Sequence, residues 1–216
     1  MNPLARLRAR GGGPMSALSK ECRRLLSQLR QRCPDALPAE PVTAGSVVPA
    51  IHITPNQALK LFPPAAAIAA GFDRFAKPSR QPVKWREGDR ELLVFPADVS
   101  VRTGDGVIAV SVPVFTDQTN KAVVHVSFVV GDPKRPAGLV AATDAAPAGP
   151  ATIVDAWGEA LVAFAWHVVI EAATTIAGEA GRDVDGSRLV PIALAASPDG
   201  LFVVPMARHE FDRARR

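Results

Sequence analysis

The chain reads as an α+β protein in which an antiparallel sheet, a three-stranded meander plus a C-terminal hairpin, packs on or around one long apolar helix, with further helices at the N-terminus. Three observations predict this. Between Glu91 and Gly131 apolar residues recur at a period of two, interrupted by turn-forming tetrapeptides. From Thr152 to Ala180 the sequence is apolar on nearly every side of a helical wheel. Near the C-terminus, Ser197-Pro198-Asp199-Gly200 separates two apolar runs, and proline, aspartate and glycine in that order make a turn with a mechanism. A chain of 216 residues with 48% hydrophobic content suffices for one well-buried domain, placed at residues 51–208.

Residues 1–15 carry alternating arginines and Gly11-Gly12-Gly13, offer nothing to pack, and are expected to be a disordered basic leader. Over 16–33, Leu18, Cys22, Leu25, Leu26 and Leu29 return at spacings of three and four among basic residues, which predicts an amphipathic basic helix ended by Pro34. A proline-rich linker follows over 34–50. Thr54-Pro55-Asn56-Gln57 has the form of a capping box with proline at the first helical position, so a short helix is expected to about Phe62. Pro63-Pro64 is expected to break it, with a second helical stretch over Ala65 to Ala76.

Three strands are then predicted, Glu91 to Arg102, Val107 to Phe115 and Ala122 to Gly131. Thr103-Gly104-Asp105-Gly106 and Asp117-Gln118-Thr119-Asn120 supply the hairpin turns. Ile108, Val110, Val112 and Val114 share one face of the second strand, and Val124, Val126, Phe128 and Val130 share one face of the third. The other face carries Ala109, Ser111, Pro113, His125 and Ser127. After an Ala, Pro and Gly-rich loop, Thr152 is placed to cap the long helix and Gly181 to end it. Strands at Arg188 to Ala196 and Leu201 to Met206 complete the sheet, and residues 209–216 form a charged tail.

Composition narrows the function. The best apolar stretch, Ala160 to Ile170, still contains His167 and falls short of the roughly 18 to 20 residues of a spanning helix, so no membrane span is predicted. Arg6, Arg8 and Arg10 are not followed by the apolar segment of an export signal. Cys22 and Cys33 are too few for a disulfide scaffold, and on one helix they lie about 16 Å apart. A cytoplasmic location is expected. Residues 1–33 hold eight basic side chains against Glu21, near +7, on a chain of net charge +4. The body is therefore mildly acidic, and the arm suits nucleic acid, an anionic surface or an acidic partner.

The chemical candidates cluster on the long helix, where Asp155, Glu159, His167, Glu171 and Glu179 form a polar stripe at multiples of four. His167 with Glu171 has the form of a base with its orienting carboxylate. Neither the two-histidine zinc spacing nor the Glu-x-x-His spacing of di-iron helices is present, so no metal and no cofactor is assigned. The stripe is expected to be the helix's one solvated seam, with no catalytic residue assigned. His125 and Ser127 share a strand face, but i and i+2 side chains stand about 6.5 to 7 Å apart, too far for direct activation. The glycine runs match no nucleotide-binding pattern.

The expected function is therefore a non-catalytic interaction or assembly module, forming a homodimer or binding another protein through its sheet and long helix. Trp157, Phe164 and Trp166 are the expected anchors on the helix, and Arg23, Arg24 and Arg30 those of a docking arm. By element order the chain is similar to secretion-chaperone-like folds. Two alternatives stand beside this reading. One is a hotdog-like acyl-thioester enzyme at a dimer interface, using Asp155, Glu159 or His167. The other is a nucleic-acid-associated protein whose basic arm, residues 1–33, contacts phosphates.

Overall fold

The computed structural model describes residues 50–73, 80–134, 137–138, 147–179, 188–208 and 210. The leader, the basic helix with Arg23, Arg24 and Arg30, nearly all of the proline-rich linker, and the C-terminal tail save Glu210 lie outside the described residues.

In chain order the elements are β1 (Ile51–Ile53), α1 (Pro55–Ala69), β2 (Val83–Glu87), β3 (Arg90–Val94), a 3₁₀ turn (Pro96–Asp98), β4 (Ser100–Gly104), β5 (Val107–Thr116), β6 (Asn120–Val129), β7 (Ala137–Gly138), α2 (Ala151–Glu179), β8 (Leu189–Ser197) and β9 (Gly200–Ala207). The antiparallel α+β architecture with one long apolar helix is as the sequence predicts, but the meander and the C-terminal hairpin belong to separate sheets where one was expected. The strands divide into two sheets. One is a meander, with β2 beside β3, β3 and β4 both beside β5, and β6 on the other side of β5. The other runs β1-β9-β8-β7.

Local chemistry explains where these elements differ from the sequence prediction. The single strand expected over Glu91 to Arg102 is two, because Pro96 cannot donate to a ladder and the chain turns there. β3 and β4 then lie end to end along β5, at Leu93–Val94 and Ser100–Gly104 respectively. Pro63-Pro64 does not break α1, which is continuous from Pro55 to Ala69. The two prolines leave the carbonyls of Leu59 and Lys60 without helical donors, but both of those residues are exposed to water, while buried Phe62, Ala65, Ala66 and Ala69 hold the helix in place. The capping box at Thr54 forms as expected, with the Thr54 N–H donating to Gln57 Oε1 at 2.9 Å. Thr152 does not cap α2. The helix begins one residue earlier, and the Pro150 carbonyl accepts from the N–H groups of Ile153 and Val154, both at 3.0 Å.

The core lies around α2, which touches α1, β5 and β6 of the meander, and β8 and β9 of the second sheet. Along β5 and β6 the even-numbered residues from Ile108 to Val114 and from Val124 to Phe128 are wholly buried. Aromatic rings lock sheet to helix: Trp85 of β2 stands edge-on to Phe164 at 5.6 Å and tilted to Trp157 at 6.3 Å. Phe128 of β6 meets Trp166 at 5.0 Å. The sheets are stitched at one corner, where the Gly106 N–H donates to the Ala196 carbonyl (3.0 Å) and the Ala196 N–H to the Gly131 carbonyl (2.9 Å).

Residues Ala151–Gly178 are long and apolar enough to cross a membrane, yet 83% of the most apolar window is buried inside the protein. It is a core helix, wrapped by the chain's own sheets.

β1 is only three residues long, and a close approach holds it. His52 stacks on Phe202 with ring centroids 4.5 Å apart, and its Nε2 lies 3.0 Å from the Asp199 carbonyl oxygen. Beneath it Gly200 has φ 141°, and a Cβ there would sit 2.1 Å from the Ile53 carbonyl oxygen. Gly200→Ala is therefore expected to dislodge β1 and to lower stability by about 2 kcal/mol or more in urea unfolding. A loss under about 0.5 kcal/mol would show that β1 is not anchored by this contact.

Candidate functional site

Three places gather polar side chains, and they lie apart. The first is a cleft of about 580 Å³ at the N-terminal end of α2. Asp89 of the β2–β3 turn, Arg90 and Glu91 at the start of β3, Thr116 to Thr119 of the β5–β6 turn, and Thr152, Asp155 and Trp157 of α2 form its walls. The hydroxyls of Thr119 and Thr152, 3.1 Å apart, tie the turn to the helix, and the Thr119 N–H donates to Thr116 Oγ1 at 3.0 Å. Four carboxylates against one guanidinium make the cleft electronegative, suited to cationic or hydroxyl-bearing groups rather than to anions. Glu91 is also held by Lys84 (2.8 Å) and by Arg86. Hydrogen bonds from Lys84 and then Arg86 keep its carboxyl below the ordinary range, so it stays ionised to lower pH than a free glutamate. The lining contains neither histidine nor cysteine, so it presents no nucleophile with a neighbouring imidazole.

The second place is the buried pair His167 and Glu171. The expectation of a solvated seam is overturned here, since the two residues are 1% and 2% exposed. Their closest approach, His167 Nε2 to Glu171 Oε1, is 3.4 Å. The reason lies in the helix's surroundings: with two sheets and α1 against it, the middle of α2 has no face left for water. Two polar groups one turn apart can enter such a core together at a lower desolvation penalty than either would carry alone. Asp155 and Glu159 remain exposed, as expected. By helical rise, Asp155 lies about 18 Å from His167. The residues assigned to an acid-base site in the hotdog reading are thus not brought together, because one part is exposed at the cleft end and the other is sealed in the core.

The third place is on the outward face of the meander. His125 is paired in register with Ser111 across the strands, and His125 Nδ1 lies 2.9 Å from Ser111 Oγ. The partner of His125 is thus across the sheet, not Ser127 along the strand. Sequence spacing within one strand cannot reveal this contact; the hairpin register can, because a turn at Asp117 to Thr119 sets 111 opposite 125. A serine-histidine pair becomes a hydrolytic centre only with oxyanion donors beside it. Here the His125 N–H donates to the Ala148 carbonyl and the Ala148 N–H to that of His125, both at 2.8 Å, so these amides are engaged in a ladder. The pair holds two strands together on an open face.

Trp157, Phe164 and Trp166 are 3%, 0% and 5% exposed, covered by Trp85 and Phe128 of the same chain. Their burial is complete without a second molecule. Among the described residues no group of three or more His, Cys, Asp and Glu side chains is arranged to hold a metal ion. Comparison with known protein families, curated proteins and solved structures finds no match to this chain. Function must therefore be read from geometry.

The buried pair gives a direct energetic test. Glu171→Ala alone should cost about 1 to 3 kcal/mol, because it removes the carboxylate beside a buried imidazole and leaves a gap in the core. The double variant His167→Leu with Glu171→Leu should recover most of that loss, giving a coupling of about 1 kcal/mol or more in a denaturant-unfolding cycle. Strict additivity would show that the two side chains do not act as a pair.

Proposed function

We propose that this protein is an interaction and assembly module, without a reaction centre of its own, that binds a protein partner through the outward face of its meander sheet. One observation carries the reading: Val123 and Val129 are 41% and 55% exposed on β6, flanking exposed His125 and Ser127 on the same face. Beside them on β5 stand Ala109 and Ser111, so the middle of this face contains no Asp, Glu, Lys or Arg. A sheet face that meets only water usually carries charge. The depletion of charge at the centre, with Lys84, Arg86, Glu91, Arg102 and Lys121 around it, has the anatomy of an interface core inside a polar rim.

The dispersal of the polar groups supports the non-catalytic part of the reading, because Asp155, the His167–Glu171 pair and the Ser111–His125 pair occupy separate places. The arm, with Arg23, Arg24 and Arg30, serves as a second and tethered contact, its charge near +7 suiting an acidic surface. A cytoplasmic setting fits a chain with two cysteines and a helix spent on its own core.

A photo-crosslinking residue placed at Ser127 in the full chain, expressed in its native cells, is expected to trap a discrete protein adduct. The same group at exposed Asp98 should give little. Equal yields from the two positions would overturn the proposal.

A further inference from the structure

We infer that the occupant of this sheet face is a second copy of the chain, the two meanders packing face to face about a two-fold axis. The inference rests on the reading of the face as an interface and adds the identity of its partner. Size is the first argument. β5 and β6 are each 10 residues long, so the face runs about 34 Å along the strands, and three to four strands give it a width of about 14 to 19 Å. Its projected area is then about 500 to 650 Å², and the accessible area of a corrugated surface is larger than its projection. A standard stable interface needs about 800 Å² per partner. The face is of that order, whereas a short peptide or a single added strand would cover only a fraction of it.

Self-complementarity is the second argument. In a two-fold interface every group near the axis meets its own copy or a close neighbour, so a net charge at the centre would be repelled by itself. Ala109, Ser111, Val123, His125, Ser127 and Val129 bring no Asp, Glu, Lys or Arg to that position. Hydroxyl and imidazole groups both donate and accept, so the row of Ser100, Ser111 and His125, in register across three strands, can hydrogen-bond to an identical row. The apolar residues on either side of that row, Val123 and Val129, are the most exposed valines described. Two such sheets would pack about 10 Å apart, burying them.

Sedimentation velocity of the purified full chain at tens of micromolar tests this. The expected species is a dimer of the 22.8 kDa chain. Val123→Glu with Val129→Glu should weaken the dimer by about 100-fold or more, since each glutamate meets a like charge in the copy. Ser127→Arg, which leaves the valines in place, should do the same. Leu59→Glu, at an exposed position of α1, should have no effect. Unchanged circular dichroism and thermal unfolding establish that the variants fold. A monomeric wild-type chain overturns the inference, and so does a dimer that tolerates both face variants. A monomer whose Ser127 position still crosslinks specifically to a different protein in cells would refute the second copy while leaving the proposed interaction face standing.

Discussion

The fold depends on one requirement, the burial of α2. A 29-residue helix that is apolar almost all round cannot leave a face in water, and a single sheet covers only one side of it. The chain answers with a meander on one part of the helix, a second sheet on another and α1 on a third. Ile153, Leu161, Phe164, Val168, Val169 and Ile170 are all at or below 1% exposure. At about 1.5 to 3 kcal/mol for each large apolar side chain, their burial outweighs the several kcal/mol per ion that a buried polar pair can cost. That balance is why His167 and Glu171 are carried into the core with the helix rather than keeping a wet groove open.

This requirement also determines which surfaces of the chain stay open. The aromatic residues of α2 are consumed by contacts with Trp85 and Phe128, so the helix offers little to a partner directly. What it does is cover the inner face of β5 and β6. Their outer face, with its small, polar and valine side chains, is turned away from the core. Where sheet and helix end, the hairpin turns meet the first turns of α2 and leave the carboxylate-lined cleft. Core, face and cleft are thus consequences of one packing arrangement.

Much of this was legible in the chain. Period-two patterning in Val107 to Phe115 and Ala122 to Gly131 placed β5 and β6 within a residue or two and gave their buried face correctly. The turns at Asp105-Gly106 and Asp199-Gly200 followed from residues that accept unusual backbone angles, with Gly106 at φ 67° and Gly200 at φ 141°. The misses share a cause, in that tertiary contact overrides a local rule. Pro63-Pro64 is a helix breaker in isolation, but α1 is held by packing. Val83 to Glu87 is too short and too charged to announce a strand, and becomes one because Arg86 pairs with Glu91 and Trp85 with Leu92 across the hairpin. The stripe of α2 was misread because spacing along a helix reports which residues share a side, not what lies against that side. The contact of Ser111 with His125 and the assembly of the cleft from Asp89, Asp117 and Asp155 need the register of separate elements, which no single window of sequence contains.

Native-state amide hydrogen exchange on the full chain tests the central claim most directly, because it reads the stability of α2 relative to the sheets that enclose it. If α2 is the shared core of both sheets, amides from Leu161 to Ala173 exchange only through global unfolding, with the same opening free energy as those of β5. If α2 instead opened at appreciably lower free energy while β5 and β6 stayed protected, the sheets would be stable without it, and the account of a fold organised around this helix would be wrong.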